Sequence, residues 1–362
     1  MNAARTAVRI EGRGPVAMAL ALFLGRQGFG PDSTLADPIP DELPAWLSSR
    51  AIALSLGSWQ LLSRVATLPA AAPILQVEVS LRGRAGRTRM RSADLHAPAL
   101  GYVLRYGSLH RALAGALSAR QAGATSGESA GADAALTVIA DGEPGAASKL
   151  RDFGQTALLA EVVAEREGHG TAFERFTDEG PLALLPLPQP LRHALVWCGH
   201  PDESARRAAL EARAFEAELG TAFGSALGAL RLDSERVLAP LQRKVRTAVD
   251  ETGRIAIGNA AQALHPVAGQ GLNLGLRDAF ELAALLGQWR ASGRPLADAA
   301  TAFARARRAD RALTVALTDT LAQAFTWPAI ARLESLALGT LDMVAPVRNR
   351  FAASLMFGLR RV

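Results

Sequence analysis

The sequence predicts an α/β fold in which a doubly wound, mostly parallel part is interleaved with an antiparallel sheet and followed by C-terminal helices. Two apolar segments typical of strands, Ala7–Ile10 and Arg254–Ile257, each lead through a glycine-rich loop into apolar residues at helical spacing. Residues alternate as in antiparallel strands over Leu75–Arg91 and again from Phe153 onward. After these segments, Ala302–Phe325 has the spacing of an amphipathic helix.

The composition describes a globular protein, because 49% of its 362 residues are hydrophobic and 20% are charged. A single cysteine, Cys198, excludes a disulfide framework or a thiolate metal cluster and suits a reducing compartment. The net charge of +6 comes from arginines spread along the chain, without a basic block interleaved with aromatics, so nucleic acid is not an expected partner. An arginine-rich composition and attraction to an anionic membrane surface remain as explanations of the charge.

The N-terminus imitates a secretory signal. Arg5, Arg9 and Arg13 precede the apolar run Val16–Leu24, but no small-residue cleavage site follows it. No apolar stretch reaches the length that spans a bilayer. We therefore expect a cytoplasmic protein.

The first glycine-rich loop has the spacing of a dinucleotide-binding turn. Gly12 and Gly14 let the backbone turn tightly and approach a diphosphate, and Ala17 lets the following helix pack closely on its strand. Asp37 follows at the distance where a carboxylate binds a ribose hydroxyl, or it is simply an aspartate that begins a loop. Glu11 is out of place, since its charge would adjoin the phosphates.

The second glycine-rich loop lies within Gly258–Asp278 and leads into the helical segment Leu272–Trp289. A glycine-rich loop that ends on a helix N-terminus presents unpaired N–H groups and the positive end of the helix dipole. The segment therefore predicts a cradle for an anion or a cofactor. The alternative is a loop that contains glycine only because the backbone turns sharply.

This stretch resembles the second flavin motif of the class A flavoprotein aromatic hydroxylases, which share the p-hydroxybenzoate hydroxylase fold. It is most similar to the branch that hydroxylates ubiquinone precursors (UbiH/UbiF/VisC-type). The family pattern is G-D-A-A-H-x-x-H-P-x-x-G-Q-G-x-N-x-G-x-x-D. The chain departs from it at Asn259 and Gln262. It matches at Gly258, Ala260, Ala261, His265, Pro266, Gly269, Gln270, Gly271, Asn273, Gly275 and Asp278.

Further segments resemble the same family. The segment that begins at Arg50 resembles one whose arginine reaches the flavin diphosphate, although Arg50 could instead open a helix over Ala51–Val65. Gly101–Leu117 resembles a flavin-supporting segment, and Asp141-Gly142 matches the family's A-D-G. The apolar strands around Thr171–Leu187 resemble the quinone-precursor branch.

The resemblance implies an FAD-dependent monooxygenase that hydroxylates a hydrophobic aromatic, a ubiquinone precursor, through a flavin C4a-hydroperoxide. NAD(P)H is the candidate electron donor, and a quinone-biosynthesis complex and the inner-membrane surface are candidate partners. His265 and Pro266 are the candidate catalytic residues, and no metal site is expected. The candidate cofactor-binding residues are Gly12, Gly14, Ala17, Asp37, Arg50, His110, Asp141, Gly142, Gly258, Asn259, Gly269, Gln270, Gly271, Leu272 and Asn273.

By the same resemblance, an FAD-binding Rossmann-like domain takes residues 1–74, 92–150 and 236–300. An antiparallel β-sheet substrate domain takes residues 75–91 and 151–235, and a C-terminal helical segment takes 301–362. Ser204–Phe223 is expected to form one amphipathic helix and Ile330–Met343 another.

The departures from the family leave an alternative, a non-catalytic paralogue that binds FAD weakly or not at all and acts as a partner subunit. Gly107 and His110 replace the expected arginine and glutamine, and Asn259 replaces an aspartate. Arg13 is a candidate to offset the charge of Glu11, by pairing with it or with the phosphate. On these grounds we predict a protein that purifies with little FAD, and whose occupancy rises in Glu11→Val combined with Asn259→Asp.

Overall fold

Fifteen strands and nine helices were assigned in a computed structural model that describes residues 7–30, 33, 35–83, 86–122, 134–142, 149–245, 248–250, 252–263, 269–324, 342 and 344–358. The strands are β1 Val8–Glu11, β2 Ala51–Ser55, β3 Ala72–Ile74, β4 Gln76–Leu81, β5 Arg87–Arg91, β6 Gly101–Arg105, β7 Leu136–Ile139, β8 Lys149–Ala164, β9 Thr171–Thr177, β10 Gly180–Pro186, β11 Arg192–Gly199, β12 Leu230–Leu232, β13 Val237–Val245, β14 Ile255–Ala256 and β15 Gln262–Ala263. The helices are α1 Pro15–Arg26, α2 Ala45–Ser48, α3 Leu56–Ser63, α4 Tyr106–Ala122, α5 Pro201–Ala209, α6 Ala212–Phe223, α7 Gln270–Ala291, α8 Ala299–Ala324 and α9 Ala345–Phe357.

A parallel sheet forms the first part of the fold, with strand order β1-β7-β14. An isolated parallel bridge from Ile10 to Leu35 extends it on the β1 side. Helices α1, α4 and α7 pack on this sheet, and their apolar residues join Val8, Ile10 and Val138 in one core. A short antiparallel sheet, β2-β6-β3, lies beside them.

A nine-stranded sheet forms the second part, in the order β15-β13-β8-β11-β10-β9-β4-β5, with β12 paired to β8. It is antiparallel except for the β4–β9 pair. One face is buried beneath α6, where Leu158, Leu184 and Trp197 meet Phe215. The other face contributes Ala172 and Ala194 to a core shared with β2 and α9.

The α/β class is confirmed, with the predicted combination of a parallel part, an antiparallel sheet and C-terminal helices. The domain boundaries stay a prediction. The two glycine loops, however, lie side by side, because a Cβ added to Gly275 of α7 would sit 2.8 Å from Gly258 Cα and 2.9 Å from Val16 Cγ2. Only glycine permits so close an approach of α1, α7 and the loop between β14 and β15.

Three helices expected from the sequence either differ in the structure or lie almost entirely outside the described residues. The helix expected over Ser204–Phe223 is two helices, α5 and α6, because Leu210 takes an extended conformation with ψ 149° between them. The helix considered over Ala51–Val65 was wrong in its first part: Ala51–Ser55 forms β2, and Ser55 caps α3 by accepting from Ser58 N–H at 3.3 Å. The helix expected over 330–343 lies almost entirely outside the described residues.

Candidate functional site

The first cradle is the turn between β1 and α1. Gly12 has φ +123°, and a Cβ there would lie 2.6 Å from the carbonyl oxygen of Ala140, so the position requires glycine. Gly14 precedes α1 without a side-chain cap, Pro15 takes the first helical position, and no acidic residue occupies the first turn. Buried Ala17 lets the helix pack closely against its strand. The uncapped N–H groups are therefore free for an anion among the described residues.

Asp37 lies beside this turn. The N–H of Ala36 donates to the carbonyl of Ile10 at 2.7 Å, which sets the segment alongside β1. Asp37 Oδ2 then accepts from the N–H of Gly12 at 3.2 Å. The carboxylate both holds the glycine turn and stands at the strand end where a ribose hydroxyl is bound in such folds.

Glu11 has partners that the sequence did not indicate. Arg254 Nη1 lies 3.4 Å from Glu11 Oε2, and Arg9 Nε lies 3.8 Å from Glu11 Oε1. Arg254 is itself held by Asp250, with Nε to Oδ2 at 3.0 Å. Of the two roles considered for Arg13, the pairing with Glu11 is taken among the described residues by Arg254 and Arg9, which offset the carboxylate's charge next to the turn. Pairing of Arg13 with the phosphate stays a prediction. No pattern in the sequence links Arg254 to Glu11, since 243 residues separate them.

A cluster on α4 forms the wall opposite the turn. The N–H of Tyr106 donates to the carbonyl of exposed Arg50 at 2.8 Å, and its hydroxyl lies 3.5 Å from where a Cβ on Gly14 would be. Burial raises the pKa of Tyr106, and the charge of Arg50 acts against that shift. Tyr106 was missed from the sequence; its place directly after β6, at a strand–helix junction, is the signal that was available.

His110 is stacked beside Tyr106, with ring centroids 6.4 Å apart. It is buried, and its Nε2 has no hydrogen-bond partner within the described residues. Desolvation lowers the pKa of His110, while a backbone hydrogen bond to Arg13 acts in the opposite direction. A neutral imidazole with an unpaired nitrogen next to the turn is a polar group that a ligand would satisfy.

Gly107 explains one departure from the family. A Cβ at this position would meet Ser48 Cα and its carbonyl oxygen, both 3.0 Å away, so α2 fills the space into which a larger side chain would extend. The arginine expected here by resemblance is therefore excluded by packing.

The carboxyl end of β7 supplies Asp141 and Gly142. The N–H of Gly142 donates to Asp141 Oδ1 at 2.7 Å, and both residues are exposed. A Cβ on Gly12 would lie 2.9 Å from the N of Asp141, which places the pair beside the first turn. Register pairs Ile139 with both Glu11 and Ala256, so β1, β7 and β14 end at one edge of the sheet.

The second cradle lies between β14 and α7. Gly258 and Gly269 have φ +60° and +59°, and α7 begins without a side-chain cap or an acidic residue in its first turn. Gly271 and Leu272 are half-buried there. The Oδ1 of exposed Asn259 lies 3.9 Å from where a Cβ on Gly271 would be. The candidate catalytic residues His265 and Pro266 lie outside the described residues.

Two predicted cofactor residues use their side chains within the protein. Asn273 Nδ2 donates to Gly269 O at 2.8 Å and to Ala53 O at 3.0 Å, and its Oδ1 accepts from Ser55 N–H at 2.8 Å. Gln270 Nε2 lies 3.4 Å from the carbonyl of Leu355 in α9. Both side chains therefore fix the loop against β2 and α9, and only their backbone groups remain for a ligand.

The arrangement of the described residues around the two cradles fits a long anionic dinucleotide. Two uncapped helix N-termini meet at the ends of parallel strands, and a glycine turn excludes any Cβ. Buried His110, whose Nε2 is unpaired among the described residues, is hydrogen-bonded to the backbone of Arg13 in the turn. Helix N-termini stabilise phosphates and other negative charge. Over the same residues, no three His, Cys, Asp or Glu side chains group in a way that could hold a metal ion.

Comparison with known proteins agrees with this geometry. The family model described as "FAD binding domain" matches residues 110–313. The ubiquinone hydroxylase UbiL of Rhodospirillum rubrum is 34% identical over 238 residues, which cover 63% of this chain and 55% of that protein. The 3-demethoxyubiquinol 3-hydroxylase of Escherichia coli is 26% identical over 324 residues, covering 80% and 81%.

Among solved structures, p-nitrophenol 4-monooxygenase PnpA from Pseudomonas putida superimposes with a TM-score of 0.71 at 16% identity, covering 98% of both chains. At that identity the likeness concerns the fold. The chain spans about half of the length of the first curated relatives that it matches, 55% and 56%. No helix in the described part of the chain is long and apolar enough to cross a membrane.

Proposed function

We propose, because this chain belongs to the FAD binding domain family, that it is an FAD-dependent monooxygenase that hydroxylates a hydrophobic aromatic precursor of ubiquinone. The observation that carries the proposal is the meeting of the α1 and α7 N-termini at the ends of β1, β7 and β14. When bound there, FAD supplies electron transfer and the activation of dioxygen. The protein supplies binding, orientation and electrostatics.

In this proposal each cradle has a separate task. The N–H groups after Gly14 hold the diphosphate, with Arg50 available to pair with it from the opposite wall. Asp37 holds the ribose. The N–H groups at the start of α7 face the flavin, where positive helix-end charge favours the electron-rich form of the ring.

One face of the nine-stranded sheet lies toward the parallel part of the fold, and its composition favours a hydrophobic substrate. Leu159, Leu185 and Val196 on this face are only half-buried, whereas Leu158, Leu184 and Leu195 on the opposite face are fully buried. Apolar surface left open on one side of a folded sheet commonly marks a ligand wall. The ion pair between Arg105 of β6 and Glu161 of β8, with Nη2 to Oε2 at 2.8 Å, holds the wall against the cofactor part.

The non-catalytic alternative is not favoured. Its main electrostatic support was an uncompensated Glu11, and that carboxylate is paired with Arg254 and Arg9. The departure at Gly107 remains, and packing of Ser48 accounts for the absence of a larger side chain there.

The proposal extends to the electron donor and the place of action. In this proposal NAD(P)H reduces the FAD. The substrate is a prenylated aromatic, which partitions into lipid. This protein binds it at the inner-membrane surface, as a peripheral protein or within a quinone-biosynthesis complex. The net charge of +6 suits contact with anionic lipid. Co-sedimentation with vesicles of phosphatidylglycerol but not of phosphatidylcholine is the expected result, and equal binding to both or to neither would remove this extension.

The experiment for the function itself starts from the absorption spectrum of the purified protein after addition of FAD and gel filtration. Retained flavin bands, NAD(P)H oxidation and oxygen-18 incorporation from dioxygen into 2-farnesylphenol are expected. A protein that loses the flavin on gel filtration and leaves this probe and its ring-substituted analogues unchanged would favour the non-catalytic alternative.

A further inference from the structure

One row of residues crosses the cofactor-facing side of the nine-stranded sheet. The strand registers pair Val79 with Glu174, Glu174 with Ala183, Ala183 with Val196, Val196 with Leu159, and Leu159 with Val237. Beyond Val79 the row continues to Thr88 of β5, a buried residue whose Oγ1 has no hydrogen-bond partner among the described residues. Glu174 is the only member of this row with an ionisable side chain.

Alternation along β9 shows which way Glu174 points. Phe173 packs in the core beneath α6, while Ala172 belongs to the core shared with β2 and α9. Because side chains two residues apart share a face, Glu174 lies on the same side as Ala172. That core includes Ala53, whose Cβ lies 3.7 Å from where a Cβ on Gly269 would be. The carboxyl group thus lies on the side of the sheet that faces this core, and the same core includes a residue next to the second cradle.

The Glu174 carboxyl group has no hydrogen bond or ion pair among the described residues, although the side chain is half-buried. Desolvation raises its pKa to about 7. A carboxyl group in apolar surroundings without a partner is costly, and native proteins rarely keep one without use. The other acidic residues near it are paired: Glu78 with Arg89 on the opposite face, and Glu161 with Arg105.

We infer that Glu174 binds the ring hydroxyl of the aromatic substrate and accepts its proton. This inference rests on the proposed function and names the residue that would make the ring reactive. Five apolar or small side chains of the row contact the ring and its hydrophobic substituent, and the single carboxylate fixes which edge of the ring carries the hydroxyl.

The step balances without any other reactant. The O–H bond of the ring hydroxyl breaks, an O–H bond forms on a Glu174 carboxylate oxygen, and the electron pair stays on the ring oxygen. The resulting phenolate donates electron density into the ring, which favours attack by an electrophilic oxygen. The proton on Glu174 returns when the product regains its hydroxyl.

Few charged groups act on Glu174 from the surrounding elements. On the same face, the thiol of buried Cys198 on β11 is close enough for the charge of Glu174 to raise its pKa further, in addition to the larger effect of burial. The neighbouring strands contribute Val79 and Ala183. The Arg105–Glu161 pair lies on β6 and β8, and it balances its own charge.

The test compares two probes on FAD-saturated protein by calorimetry: 4-hexylphenol and 4-hexylanisole, which differ only in whether the ring oxygen can donate. At pH 8.5 we expect about tenfold or greater preference for the phenol, the size of a hydrogen bond to a charged acceptor. Glu174→Gln should reduce this ratio several-fold and Glu174→Ala should abolish it. In wild-type protein the ratio should also fall as the pH drops below 7, and it should be independent of pH in Glu174→Gln.

The matched control is Glu78→Gln, the same substitution on β4 but on the opposite face, beside Phe173. It should leave the probe ratio at the wild-type value. A structural role for Glu174 would weaken both probes equally, so an unchanged ratio in Glu174→Gln overturns the inference. If the phenol preference depends on Glu174 but no hydroxylation occurs, the proposed function fails and the binding role stands. If hydroxylation proceeds and the ratio is unchanged, only the role of Glu174 fails.

Discussion

Arg254 Nη1 lies 3.4 Å from Glu11 Oε2. Glu11 ends β1 and Arg254 precedes β14, and β7 lies between these two strands. The pair places a positive charge against a carboxylate that adjoins the first cradle. Both side chains keep substantial exposure, 43% for Arg254 and 33% for Glu11, so the pair is screened and its effect is moderate.

Removing that positive charge should weaken FAD binding. Arg254→Ala leaves Glu11 with Arg9 alone, and we expect an affinity for FAD about threefold lower, measured by quenching of flavin fluorescence. Glu11→Gln in the same background should restore most of the loss, whereas Arg213→Ala, at an exposed position of α6, should change nothing. Equal loss with and without Glu11 would show that Arg254 acts by another route.

Asn259→Asp should tighten FAD binding. The side chain lies beside the uncapped first turn of α7, where a carboxylate gains from the helix dipole and forms stronger hydrogen bonds with a ribityl hydroxyl. The expected gain is on the order of 1 kcal/mol, about fivefold in affinity. Unchanged or weaker binding would contradict the placement of Asn259 against the cofactor.

Gly12→Ala should abolish FAD retention and destabilise the protein. The substitution forces a Cβ against the carbonyl of Ala140 at a φ of +123°. We expect a loss of about 1–3 kcal/mol in the free energy of unfolding, measured in urea. The control is Gly115→Ala on α4, where an added Cβ would meet no atom within 4 Å apart from the nearby backbone of its own helix, and alanine should stabilise the helix by about 0.5–1 kcal/mol.

Arg307→Met should be among the most damaging single changes. Arg307 is 1% exposed and joins Asp278 at 2.7 Å, Asp310 at 2.6 Å and Glu281 at 3.1 Å, which ties α8 to α7. Removing it leaves Asp278 and Asp310 with the longer contacts to Arg311 and Arg277, 3.6 Å each, and we expect a cost of about 3 kcal/mol in urea unfolding. Arg308→Met, one residue along on the exposed side, should stay within about 0.5 kcal/mol of wild type.

Glu174 should make stability depend on pH. Its pKa in the folded protein, about 7, is raised above the ordinary value of 4.5, so its contribution is fully present below pH 4.5 and is lost as the pH rises through 7. The free energy of unfolding of Glu174→Gln, relative to that of wild type, should therefore rise by about 1–3 kcal/mol from pH 5 to pH 8.5. Parallel pH curves for the two proteins would mean that the carboxyl group titrates normally.

The sequence located the cofactor part well because its signals are local. Gly12, Gly258 and Gly269 take backbone conformations that other residues rarely adopt, and the apolar periods of α1 and α7 are continuous along the chain. The break between α5 and α6 left no comparable signal, since the residues around Leu210 are good helix formers. Where a helix stops for reasons of packing, propensity does not reveal it.

The side chains that complete the site were less predictable. Tyr106 and Ser48 act through contacts with Gly14 and Gly107 on other elements. Asn273 is a predicted cofactor residue, and its side-chain amide is hydrogen-bonded to Gly269, Ala53 and Ser55 within the protein. A motif states which residue types a loop contains, and it does not state which partner each side chain meets.

The sequence by itself determined the α/β class, the two glycine cradles and the family, because glycine spacing and hydrophobic period are properties of neighbouring residues. Only the tertiary structure decided that Arg254 offsets Glu11 and that Glu174 is the one ionisable member of the row that crosses the nine-stranded sheet. Both relationships depend on strand register and order. Residues far apart along the chain become neighbours through hydrogen bonding between strands, and side-chain charge acts through distance in space rather than along the sequence.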